Sequence, residues 1–352
     1  MAVVTVVGAG MMGSALTVPL VDRGHEVRLV GTPLDHAIVA RLREDRHHLT
    51  LRHALPEAVR PYAVDDLSSA LAGADAVALG VSSAGIRWAG RALAPLLVSG
   101  TPIFAITKGL EWDGERLRVL PDVFADELPA SVREGLTPAA IAGPCIAGEL
   151  ARRVPTCVVL TGRDQARLDR IADLVRTDYY RVFTSLDVEG VETCAALKNA
   201  FAMGVAFGAG LHERRGGESG SVAMHNYESA VMAQAVVEMM RVVELAGGTP
   251  RTAAGLAGVG DLDVTNNGGR TGRFGRLLGR GLPLDEAVAR MEGATLECLE
   301  ILAVMRRAMT ALGARGLLAP RELPLLEEMA RVALDGAPLA MPFHEFFGGE
   351  RG

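Results

Sequence analysis

Val3-Val4-Thr5-Val6-Val7-Gly8-Ala9-Gly10-Met11-Met12-Gly13 opens the chain, and this stretch decides the fold. Five β-prone residues run directly into Gly-x-Gly-x-x-Gly, and Ala15-Leu16-Thr17-Val18-Pro19-Leu20-Val21 follows with a helical pattern. The three glycines have separate jobs. Gly8 permits the tight turn, Gly10 lets a pyrophosphate approach the backbone, and Gly13 lets the helix pack on the strand. The helix N-terminus adds unpaired N–H groups and the positive end of its dipole. Glycine turns are common, but one set between a strand and a helix is a dinucleotide-binding fingerprint. Gly8, Gly10, Met11, Met12 and Gly13 are its expected contacts.

Further along, strand patterns recur at Glu26–Val30, Ala76–Val81, Pro102–Thr107 and Cys157–Leu160. Helical patterns lie between them, as at Asp66–Leu71. This βαβ rhythm predicts an α/β fold, a Rossmann-type doubly wound parallel sheet. After about Asp187 the strand signals vanish. Amphipathic stretches at Val191–Ala209, Glu228–Ala246, Leu284–Arg290 and Leu296–Leu312 predict an all-helical C-terminal domain. The expected division is a nucleotide-binding domain over 1–187 and a helical substrate domain over 188–352. The polar, Gly-rich segment Gly210–Gly220 reads as a loop between helices. It is either a solvated insertion or a gate over substrate.

A chain of 352 residues has ample material for two cores, and 49% hydrophobic with 22% charged residues is ordinary for an enzyme. The net charge of −6 gives no general electrostatic reason to bind nucleic acid. Cys145, Cys157, Cys194 and Cys298 are scattered, with no metal-ligand spacing, so reduced thiols in a cytoplasmic protein are expected. The first 20 residues have no basic start, and glycines interrupt their apolar run. Neither a signal peptide nor a membrane span is read there.

Two lysines lie in unusually apolar surroundings. Lys108 follows the strand Pro102–Thr107, and ligands of open α/β sheets bind beyond the carboxyl ends of strands. Lys198 sits inside Cys194-Ala195-Ala196-Leu197-Lys198-Asn199-Ala200-Phe201. It is either a buried lysine whose pKa burial lowers toward a catalytic range, or one that snorkels from its helix. Asp261 stands in Gly258-Val259-Gly260-Asp261-Leu262, as a ligand-facing acid or a helix cap. Asn266-Asn267-Gly268-Gly269-Arg270-Thr271 suits a phosphate, through the arginine fork and bare N–H groups, or is an exposed basic loop.

In this order, the motifs resemble the NAD(P)-dependent sn-glycerol-3-phosphate dehydrogenase family. The resemblance runs through Gly8–Gly13, Thr107-Lys108-Gly109-Leu110 and Gly143-Pro144-Cys145-Ile146-Ala147-Gly148-Glu149. It continues through Ala196-Leu197-Lys198-Asn199, Gly258–Leu262 with Thr265, Arg270 with Phe274-Gly275, and Glu292-Gly293. The spellings Gly31-Thr32, Leu79-Gly80-Val81-Ser82 and Gly268-Gly269-Arg270 are closer to the archaeal branch. The resemblance implies Lys198 as proton donor and acceptor, and Lys108 as the group that holds substrate near the transferred hydride. Asp261 and Thr265 would support Lys198, with Asn199 beside them. Arg270 would take the substrate phosphate and reach toward the cofactor. Ala147 and Glu292 match cofactor contacts, and Gly143 and Cys145 match the loop that lines the site. A homodimer is also implied, as is a role in carbohydrate metabolism and phospholipid precursor synthesis.

There are departures. Thr271 stands where the family has Asn, Glu228 where it has Lys, and Gln234 where it has Arg. The catalytic set is intact but the substrate set is not. A related phosphorylated polyol or sugar, or a hydroxy acid, is the rival substrate class. A non-catalytic NAD(P)-binding or redox-sensing protein is the rival of another kind, though binding alone needs no lysine pair. A carboxylate ending strand two would favour NAD. Leu29-Val30-Gly31-Thr32 has none, with Asp35 further on, and the Thr32 hydroxyl suits a 2′-phosphate. The expected cofactor is NAD(P), leaning to NADP.

Overall fold

The computed structural model describes residues 1–217, 224–267, 269–292 and 295–349. Two compact units emerge: Met1–Lys108 with Val119–Val188, and Gly109–Arg118 with the chain from Glu189 onward. The segment Gly109–Arg118, read from sequence as part of the first domain, belongs with the second.

The main sheet of the first unit has eight strands. They are β1 (Val3–Val7), β2 (Glu26–Val30), β3 (Val59–Tyr62), β4 (Ala76–Leu79), β5 (Ile103–Ala105), β6 (Ala139–Ala142), β7 (Thr156–Thr161) and β8 (Tyr180–Ser185). Their order is β8-β7-β6-β5-β4-β1-β2-β3. The order turns back on itself between β1 and β4, the kind of switch point where α/β sheets take ligands. All pairs are parallel except β6 with β7. Alternate residues feed opposite faces, the period-2 rule of a strand covered on both sides. Val4, Val6, Ala76 and Ala78 join the core under helix α1 (Met11–Asp22), whereas Val7, Val77 and Leu79 join the core on the other face.

Strand β3 escapes the sequence reading because Pro61 interrupts its pattern. It pairs with Leu29 from an outer position, where a missing N–H does no harm.

Among the described residues from Glu189 onward there are helices and turns but no strand. The central element is α2 (Val188–Arg214), which buries Leu197, Phe201, Met203 and Phe207. By length and composition it could cross a membrane, but 89% of its most apolar window is buried inside the protein, as in a core helix. It runs five residues into the expected loop Gly210–Gly220. Packing overrides the local signal there. Glu213 pairs with Arg276 and Arg280 of the neighbouring helix segment, and Gly210 lies so close to that segment that a Cβ would sit 2.2 Å from the Arg276 carbonyl. Residues Glu218–Gly220 lie outside the described residues.

Helix α3 (His225–Leu245) follows, then α4 (Asp261–Asn266), α5 (Arg270–Gly279), α6 (Glu297–Ala314) and α7 (Pro324–Asp335). Gly275 and Gly279, one turn apart on α5, press against Met203 and Phe207 of α2. Added Cβ atoms would lie 2.3 and 2.4 Å from those two carbonyls. This close approach fixes the helix that starts with Arg270. On α3, the carboxylate of Glu238 accepts the N–H groups of Leu325 and Leu326 and so caps α7. Burial pushes its pKa up to about 7, against the pull of those hydrogen bonds and of Gln234.

Candidate active site

In the first unit, the glycine turn has one closed side and one open side. Gly8 adopts φ +112°, and a Cβ on it would lie 2.6 Å from Gly80. A Cβ on Gly13 would lie 2.1 Å from the Gly8 carbonyl. Both glycines are therefore needed for packing. A Cβ on Gly10 would meet nothing nearer than the Gly80 carbonyl at 4.0 Å, so its surface is open to a ligand. Met11, 38% exposed, and half-buried Met12 begin α1 beside it. The residues present fit a pyrophosphate: an open backbone face, at the start of a helix whose N–H groups lack intrahelical partners.

The end of β2 differs from expectation. The Thr32 hydroxyl donates its one proton to Asp35 Oδ2 at 2.8 Å, so it is committed within the protein. The same Asp35 oxygen accepts the Thr32 N–H at 2.8 Å and the Ala9 N–H at 3.1 Å. A hollow of about 190 Å³ opens here, lined by Gly31, Thr32, His36, Val39 and Arg43 among others.

Lys108 lies half-buried beyond β5, and its Nζ approaches the Gly143 carbonyl at 3.5 Å. Gly143 holds φ +118°, a conformation that favours glycine. Cys145 is half-buried, and Ala147 is buried at the start of a short helix. The structure thus brings Lys108 to the Gly143 loop.

The second unit holds the other lysine. Lys198 Nζ lies 3.1 Å from Asp261 Oδ1, with the two side chains 12% and 1% exposed. Lys198 also donates to Thr265 Oγ1 at 2.8 Å. The Thr265 hydroxyl spends its own proton on the Asp261 carbonyl at 2.6 Å, so it faces the ammonium as an acceptor. Lys198 does not snorkel; it is held. Asp261 follows a π-helical turn over Leu256–Gly260, closed by an N–H of Gly260 to the Gly255 carbonyl at 3.2 Å. Single π turns recur at functional sites because they re-aim the next side chain.

Asn199, 5% exposed, donates to Glu297 Oε2 at 2.8 Å. The other Glu297 oxygen lies 3.9 Å from Arg270. Glu297 therefore ties the residue after the lysine to the head of α5. Nothing in spacing pointed to Glu297. Thr271 is half-buried on the first turn of α5. Glu292 is exposed with φ +53°.

Of the departures from the family pattern, Glu228 faces open space. It lines a cleft of about 470 Å³ with Asn266, Asn267, Gly269, Gly272, Arg273 and Arg276. Gln234 does not. It is buried at 2% exposure, donates to Glu238 and accepts the Phe347 N–H at 2.9 Å. The expectation that it touches substrate gives way to a structural role, since a long amide bridges a helix to the C-terminal segment.

A glycine turn that fits a pyrophosphate, and an ammonium held by a buried carboxylate, together mark a nicotinamide-dependent dehydrogenase. Comparison with known proteins makes the assignment specific. The model of the NAD-dependent glycerol-3-phosphate dehydrogenase N-terminus matches residues 3–168, and that of the C-terminus matches 187–342. The NADP(+)-dependent glycerol-3-phosphate dehydrogenase of Archaeoglobus fulgidus is 37% identical over 82% of this chain and 84% of its own. The glycerol-3-phosphate dehydrogenase [NAD(P)+] of Enterococcus faecalis is 34% identical over 82% and 81%. The crystal structure of glycerol-3-phosphate dehydrogenase from Coxiella burnetii matches with a TM-score of 0.79 at 28% identity, covering 95% of each chain. The chain belongs to the NAD-dependent glycerol-3-phosphate dehydrogenase family.

Proposed function

We propose that the chain interconverts sn-glycerol 3-phosphate and dihydroxyacetone phosphate, with Lys198 as the proton donor and acceptor. The chain is an NAD(P)-dependent oxidoreductase acting on CH–OH, as its relatives are. The nicotinamide cofactor, when bound, supplies or takes the hydride. The substrate oxygen then gains or loses a proton, and the chain must provide the group that moves it. Lys198 suits that task because Asp261 and Thr265 fix its Nζ with two contacts. Lys108 offers a second positive charge for the oxygen and Arg270 a fork for the phosphate. Asn199 and Thr265 complete the contacts expected for substrate.

The observation that carries this reading is the Lys198–Asp261–Thr265 arrangement, a lysine from a buried stretch of α2 held by two residues of α4. The test is oxidation of NADH and NADPH by the purified protein with dihydroxyacetone phosphate and a panel of ketose phosphates. Turnover with none of them overturns the reading.

NADP is the favoured cofactor. Where β2 ends, Asp35 Oδ2 takes three donors from the protein and so is committed away from a free ribose hydroxyl. Arg43, which also pairs with Asp66, lines the hollow beside it, and a 2′-phosphate suits its guanidinium. A homodimer in the cytoplasm completes the reading, and sedimentation at working concentration tests the dimer.

A further inference from the structure

Ala9 stands between Gly8 and Gly10 and is held from both sides. Its N–H donates to Asp35 Oδ2 at 3.1 Å. Its carbonyl lies 2.8 Å from Nε2 of His48, a histidine with no exposed surface, and also accepts the Ser14 hydroxyl, more distantly, at 3.2 Å. The other ring nitrogen fixes the proton's place. Leu51 N–H donates to His48 Nδ1 at 3.0 Å, so Nδ1 is bare and Nε2 carries the hydrogen. Burial, the main cause, holds the ring below its usual pKa and so keeps it neutral.

In a trans peptide the carbonyl of one residue and the N–H of the next point in opposite directions. The Ala9 carbonyl and the Gly10 N–H share one plane. A hydrogen bond from His48 to that carbonyl therefore turns the Gly10 N–H away from His48. The plane before Ala9 is fixed in the same way, through its N–H and Asp35. Gly10 has no side chain to resist a peptide flip, and a flipped plane would aim a carbonyl at the phosphates where an N–H belongs. Asp35 is itself fixed by the N–H and hydroxyl of Thr32.

We infer that His48 and Asp35 are positioning residues for the cofactor pyrophosphate, locking the two peptide planes beside Ala9 so that the Gly10 N–H faces the ligand. The inference rests on the cofactor reading above. It gives the buried histidine of the short antiparallel pair formed by His47–His48 and His53–Ala54 a task, and it explains why the acid after β2 turns inward.

The experiment measures binding, not turnover. ADP-ribose carries the pyrophosphate; adenosine does not. In His48→Phe, ADP-ribose and NADPH should bind about tenfold more weakly, the loss of one buried hydrogen bond, while adenosine stays within about twofold. His48→Gln keeps an N–H donor and should restore ADP-ribose to within about threefold of wild type. Equal loss of adenosine and ADP-ribose, or no loss of either, overturns the inference. The wild type gives a check that needs no folded variant. Nitrogen-15 NMR of labelled histidine should show His48 at pH 7 with Nε2 protonated and Nδ1 bare. The opposite tautomer or a doubly protonated ring overturns the clamp. A wild-type protein that binds neither NADPH nor NADH overturns the cofactor reading and the inference with it. Normal wild-type binding with unaffected variants overturns the inference alone.

Discussion

The ammonium of Lys198 and the carboxylate of Asp261 meet at 3.1 Å, and the carboxylate is 1% exposed. Each side chain holds the other in place, so the pair links the proposed function to stability. Truncating either residue leaves the other a buried charge, which costs about 3–5 kcal/mol.

Lys198→Ala should reduce turnover about 100- to 10,000-fold, the usual loss of a general acid–base group. Affinity for NADPH, measured by fluorescence, should stay within a few-fold. The same variant should unfold at lower urea because Asp261 loses its counter-charge. A folded variant with near-normal turnover removes Lys198 from the mechanism.

Much of this was legible in the chain. Strands β1 and β2 fall at their expected bounds because β1 is a nearly continuous buried run that ends at Gly8, and β2 alternates charged and buried apolar residues up to Gly31. Lys198 stood out for its apolar neighbours. Whether it was paired or snorkelling could not be read, since the deciding residues, Asp261 and Thr265, come from a distant helix. Glu297 carries no local signal for the same reason. Gln234 was misread because a helix shows its apolar stripe in sequence but not which polar residue turns inward. Asp35 was seen, but its commitment to Ala9 and Thr32 depends on backbone geometry that no pattern encodes.

Arg270→Ala should raise KM for phosphorylated substrates far more than for dephospho analogues. A lost charge-assisted contact costs roughly 1.5–3 kcal/mol, or about 10- to 150-fold. Glu297→Gln should give a smaller effect of the same kind, since Glu297 only steers Arg270 and holds Asn199. Equal losses on both substrate types would assign Arg270 to the cofactor or the fold.

Glu238 predicts a pH dependence of stability. Its pKa in the folded chain is about 7 against an ordinary 4.5. The folded state thus binds this proton more tightly than the unfolded state. The stabilisation from it is full below pH 4.5 and declines as pH rises toward 7, by roughly 3 kcal/mol at most. Urea unfolding at pH 5 and pH 8 should show a decline in wild type that is flattened in Glu238→Gln. Parallel curves for the two proteins would remove Glu238 as the cause.

Glu228 lines the 470 Å³ cleft and predicts what it accepts. Gly269 and Gly272, which flank Arg270 and Thr271 in sequence, line the cleft, as do Asn266 and Asn267. A carboxylate here repels a phosphate brought close, but it accepts a hydroxyl readily. His225 lies 3.3 Å from it and offsets its charge only when protonated. Compared with a family member that has Lys at this position, the chain should therefore hold dihydroxyacetone phosphate less tightly and tolerate a longer polyol chain better. Glu228→Lys should lower KM for dihydroxyacetone phosphate several-fold and raise it for any larger ketose phosphate that the wild type uses. The measurement is kcat/KM across the panel in both proteins, at low salt where such charge effects are largest. If the wild type already exceeds about 10⁴ M⁻¹s⁻¹ on dihydroxyacetone phosphate, no larger ketose phosphate surpasses it, and Glu228→Lys changes nothing, then the cleft is bystander space and Glu228 sets no preference.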